Sequence, residues 1–74
     1  MPYLKPAKKP YEKMTRLLKG YGLNGENLAP MILCSAPTAR KRIENPELFT
    51  LQDIANINRR GHIPLEEIRE AIAP

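Results

Sequence analysis

The chain has 74 residues, enough for one small domain with a small core. Twelve lysines and arginines against eight carboxylates give a formal charge of +4 and a pI near 9.5, which points to anionic partners. One cysteine excludes an internal disulfide, one cysteine with one histidine cannot form a structural zinc site, and the longest apolar run, Met31 to Cys34, is far too short to cross a bilayer.

Residues 1–10, MPYLKPAKKP, hold three prolines and three lysines and predict a flexible basic arm. From Tyr11 to Tyr21 the residues Tyr11, Met14, Leu17, Leu18 and Tyr21 fall on one helical face, and Gly20 and Gly22 mark the end of this first helix. A second helix starts near Asn24, with Leu28, Ala29 and Ile32 as its inner face. Pro30 tolerates only the first turn of a helix without strain, so this element is expected to be short or to begin later than Asn24.

Ser35 is an N-cap with Pro37 in the turn behind it, and a third helix runs over 36–44 with Ala39 and Ile43 inward until Asn45-Pro46 stops it. Thr50 and Asp53 fit a capping box for a fourth helix over 51–60, with Leu51, Ile54, Ala55 and Ile57 apolar and Gly61 closing it. Pro64 opens a fifth helix carrying Leu65, Ile68 and Ile72. No strand pattern competes. The fold class is therefore all-α, a compact bundle of about five short helices over 11–74 behind the basic arm.

The charge is segregated along the chain. Residues 1–42 hold nine basic residues against Glu12 and Glu26, whereas residues 43–74 hold Arg59, Arg60 and Arg69 against six carboxylates. Such asymmetry hints at a binding face better than the total does. No signal-peptide pattern follows the N-terminal lysines, so a cytoplasmic location is expected.

The turn between the second and third helices spans only about 33–35, and a short turn between short helices lets the second project outward. Along the third helix, Pro37, Thr38, Arg40, Lys41 and Arg42 are the candidate outward residues. Arginine can bridge guanine O6 and N7, threonine can meet a base edge or a thymine methyl, and lysine can reach a phosphate or guanine. Arg-Lys-Arg also reads as an ordinary solvated helix face. The capped helix, the short turn and the basic arm favour contact with DNA.

Leu28-Ala29, Ser35 six residues later, Thr38-Ala39, Asn45-Pro46, Leu51-Gln52-Asp53-Ile54 and Ile63-Pro64-Leu65-Glu66-Glu67-Ile68 occur in an order that resembles the lambda repressor-like and Cro-like helix-turn-helix family, in particular its small phage and prophage regulators. The similarity covers about 11–72. It implies a recognition helix in the major groove, with Ser35, Pro37 and Thr38 at its DNA-contacting end and Arg40 and Lys41 along the groove. Ala29 would be the small residue where the two helices cross, and Lys5 to Lys9 would act as a basic arm. Two positions depart from the family: Leu33 stands where glycine is usual, and Gly25 where many members carry a polar side chain that contacts the DNA backbone.

Catalysis has little support. His62 lies beside Gly61 in an expected turn, Cys34 has no histidine near it in sequence, Glu66-Glu67 open a helix, and no Gly-rich phosphate loop is present. No cofactor or metal is expected. The leading expectation is a double-stranded DNA-binding transcriptional regulator, with phosphate contacts from Lys5, Lys8, Lys9 and Lys19 and base readout from Thr38, Arg40 and Lys41. It would act as a homodimer through the fifth helix and Ala71-Ile72-Ala73, its recognition helices roughly 34–36 Å apart. The alternatives are a protein-interaction module on the same fold, such as a phage accessory or antitoxin-like protein, and a non-specific nucleic-acid binder.

Overall fold

In the computed structural model, which describes residues 11–73, the first apolar stripe winds into α1 (Glu12–Gly20) and buries Met14 and Leu18. Tyr11 and Tyr21 flank the helix and stay partly exposed, so only the middle of the expected stripe enters the core. The backbone then turns through Gly22 at φ +79°, and the Leu23 amide bonds back to the Leu18 carbonyl at 3.0 Å. A glycine in the left-handed region with this backward bond is how many helices end.

α2 (Gly25–Ile32) starts directly after Asn24. Asn24 Oδ1 accepts the amides of Glu26 and Asn27, and the Asn27 side chain accepts the Asn24 amide at 2.6 Å. This reciprocal cap fixes the start, so the helix is short, as expected, without beginning late. Pro30 sits inside it as the sixth residue. The proline is exposed, so the Glu26 carbonyl that it leaves without an N–H partner can turn to water.

α3 (Ala36–Glu44) follows after three residues, with Ser35 as N-cap, and buries Ala39 and Ile43. A 3-10 turn over Pro46–Leu48 leads to α4 (Leu51–Arg60), and α5 (Leu65–Ile72) closes the chain behind buried Ile63. The described residues contain five α-helices and no strand. α2 packs most extensively on α3 and next on α4, while α1 packs on α5 and α3. The core joins Met14, Leu18, Leu23, Leu28, Ile32, Ala39, Ile43, Ile57, Ile63 and Ile68.

The apolar residues of α4 divide: Ile57 is buried and Ile54 packs against the core. Leu51 is 89% exposed and Ala55 is exposed, whereas Asp53, Asn56 and Ile57 are buried. The cause is an ion pair. Arg42 Nη1 of α3 lies 2.7 Å from Asp53 Oδ2, which also accepts the Thr50 amide at 3.1 Å, and the Asp53 amide returns a bond to Thr50 Oγ1 at 3.0 Å. The buried carboxylate's bond to Arg42 favours this rotation of the helix, because turning Leu51 inward would carry Asp53 away from the guanidinium, whereas the Thr50 bonds belong to the helix's own cap. On α5, Leu65 is 51% and Ile72 37% exposed, leaving Ile68 and Ala71 as its buried pair.

Besides the Lys19–Glu44 ion pair, two hydrogen bonds tie α1 and its C-cap Tyr21 to neighbouring helices. Thr15 Oγ1 donates to the Ile43 carbonyl at 2.6 Å, and the Tyr21 hydroxyl donates to Glu67 Oε1 at 2.7 Å. That bond to the carboxylate is the main reason the phenol's pKa stands above its usual value.

At Gly25 the backbone of α2 lies close against α3. A Cβ built there would lie 2.8 Å from the Ala36 carbonyl oxygen and 3.1 Å from Arg40 Cβ. The first of these is backbone, so relief requires moving a helix. Gly25→Ala is expected to lower stability by about 1–3 kcal/mol in denaturant unfolding, despite alanine's better helix propensity. A gain in stability would show that the helices separate freely.

Candidate nucleic-acid interface

The connection from α2 to α3 is built from Leu33, Cys34 and Ser35. Leu33 adopts φ +58° and ψ +51°, the left-handed conformation that glycine usually supplies. The Cys34 amide bonds to the Ala29 carbonyl at 3.0 Å, the same backward bond that Leu23 makes after α1. Leucine therefore holds a backbone shape that is easiest for glycine, with the residue 76% exposed. Cys34 is a half-buried free thiol packed against the core.

α3 leaves this turn with one edge outward. Pro37, Arg40 and Lys41, at i, i+3 and i+4, are exposed, and Ala39 and Ile43 face the core. At the start of the helix Ser35 Oγ donates to Thr38 Oγ1 at 2.9 Å and receives the Thr38 amide at 3.4 Å. The Thr38 hydroxyl thereby accepts from Ser35 and keeps its own proton to donate. Each other α-helix among the described residues has an acidic residue in its first turn, and α3 has none. An anion approaching this end meets partial positive charge with no carboxylate in that turn to oppose it. α2 is less open: Asn24 occupies two of its first amides and Glu26 adds a negative charge.

The structure separates the sequence-predicted residues into two groups. Ser35, Pro37, Thr38, Arg40 and Lys41 lie together along the outer edge of α3. Arg42 does not join them, because its guanidinium is turned to Asp53 and serves the α3–α4 contact. Lys19 Nζ lies 3.1 Å from Glu44 Oε2, at the far end of α3, about 13 Å along the axis from Ser35. It is thus placed as a helix-to-helix partner, away from the Ser35 end. Lys5, Lys8 and Lys9 lie outside the described residues.

The resemblance implies a lost backbone contact at Gly25 and a helix crossing at Ala29. Both are buried, and a Cβ at Gly25 would meet α3. The signal was present in the sequence, since two small residues four apart share one helical face. Among the described residues no three His, Cys, Asp or Glu side chains are grouped to hold a metal, and no helix is long and apolar enough to cross a membrane.

Two substitutions check this division. Leu33→Gly should relieve the left-handed strain and raise stability by roughly 1 kcal/mol, because little buried surface is lost. A fall in the unfolding midpoint would mean that the turn does not need a glycine-like shape. Arg42→Ala should lower stability by roughly 2–3 kcal/mol by leaving Asp53 short of its cation, a value below that for a fully buried pair because Arg42 is partly exposed. A change in stability under 0.5 kcal/mol, within the usual range for surface sites, would return Arg42 to the exposed set.

No protein-family model, curated protein or solved structure matches the chain.

Proposed function

We propose that the chain is a sequence-specific double-stranded DNA-binding regulator of the helix-turn-helix type, with α3 as the helix that enters the major groove. One observation carries the reading. Arg40 and Lys41 share an exposed edge of a short capped helix, and neither forms an ion pair among the described residues. The other cations of the same region, Lys19 and Arg42, are committed to carboxylates.

The division of labour follows from side-chain chemistry. Arg40 offers a planar fork that matches guanine O6 and N7, and Thr38 offers a hydroxyl proton from the first turn of the helix. Lys41 supplies a charge for phosphate or guanine, and Ser35 fixes Thr38 through its hydrogen bond. Pro37 presents an apolar edge beside them. Lys5, Lys8 and Lys9 would add sequence-independent phosphate contacts from the N-terminal segment. The reading needs no cofactor, no metal and no bond-making step.

The test is selection from a random duplex pool followed by sequencing, then binding to the enriched site and to random DNA at several salt concentrations. A sequence reader should prefer its site by on the order of 10³-fold or more. Arg40→Ala should cost about 1–3 kcal/mol on the selected site and relax the preference at one base position. Equal losses on selected and random DNA would remove Arg40 from base readout. Retention without enrichment would leave a non-specific binder, and no retention at low salt would favour an interaction module.

A further inference from the structure

The face of the molecule formed by α1 and α5 is unlike the edge of α3. Between these helices runs an open groove of about 620 Å³ whose floor is Leu17 and Ala71. One wall carries Lys13 and Arg16, three apart on α1, and the other carries Glu67 and Glu70, three apart on α5. Among the described residues no ion pair crosses it. Arg16 is held along its own helix by Glu12 at 3.3 Å, and Glu67 is held by the Tyr21 hydroxyl. Lys13 and Glu70 are exposed and make no side-chain hydrogen bond or ion pair there.

We propose that this groove is the self-association face of the chain, covered by the same groove of a second copy. A twofold axis running along the groove carries the basic wall of one copy onto the acidic wall of the other. Each pairing of a cation with a carboxylate across the interface then occurs twice, and the two apolar floors lie against each other. A surface with one wall of each sign is complementary to itself under this rotation, as a paired interface between identical chains requires. A partner of uniform charge would be attracted to one wall and repelled by the other. The groove shares no residue with Ser35, Pro37, Thr38, Arg40 or Lys41, so association through it leaves the α3 edge uncovered and is testable without DNA.

The experiment is sedimentation equilibrium of the full chain at low and high salt, with two charge reversals at the uncommitted positions. The wild type should self-associate and weaken as salt rises. Lys13→Glu and Glu70→Lys should each weaken association by about 10-fold or more, because each reversal is counted at two symmetric contacts. Thermal unfolding of each variant should match the wild type. An equal mixture of the two variants should associate more tightly than either alone, and so should the chain carrying both changes. A wild type that stays monomeric at the highest attainable concentration in low salt would overturn the proposal. So would a mixture that associates no more tightly than its components.

Discussion

The first turn of α2 rests against the backbone of α3, with no side chain between them at Gly25. That approach, together with the three-residue turn, fixes where α3 can lie. One end of α3 is pinned by Leu33 and Ser35, and its first turns are held by the crossing. Ala39 and Ile43 can then reach the core only if Pro37, Arg40 and Lys41 face out. The outward cations follow from a packing constraint on the opposite side of the same helix, and the charge pattern alone would not have placed them.

The same helix shows how a charged sequence is sorted by tertiary structure. Three consecutive residues, Arg40, Lys41 and Arg42, are equivalent in composition. Arg42 falls beside Asp53, whose carboxylate is already bound to the Thr50 amide, and becomes part of the α3–α4 joint. Lys19 and Glu44 join α1 to α3 in the same manner. Both pairs connect a cation of the basic part of the chain with a carboxylate of the acidic part. Part of the charge segregation therefore serves internal pairing, and the exposed remainder is what is available to a partner. An exposed pair such as Lys19–Glu44 contributes little to stability, so its main consequence here is to occupy Lys19.

Much of the fold is legible in the sequence because its signals are local. Asn24, Ser35 and the Thr50–Asp53 pair are caps whose bonds close within three residues, and the helix starts they mark are the ones observed. Gly20 and Gly22 likewise mark the end of α1. What the sequence concealed depended on distant partners. Leu51 and Ala55 of α4 are apolar yet exposed, while Asp53 is buried beside Arg42, eleven residues away. For the candidate site, Ser35, Pro37, Thr38, Arg40 and Lys41 were legible from the cap and the helical period. The commitments of Arg42 and Lys19 were not, since each is decided by a carboxylate on another helix.

Leu33 shows how a leucine can hold a left-handed turn. The left-handed region costs a leucine about 1–2 kcal/mol. Against this stand the Cys34 bond to Ala29 and the burial of Ile32 and Ala39 on either side of the turn. Moving Leu33 to an extended conformation would redirect the chain and separate those two residues. Core packing on both sides therefore outweighs one strained backbone angle, and the shape survives without the residue that usually signals it. The cost remains stored at an exposed position, where a glycine would remove it without disturbing the neighbouring core.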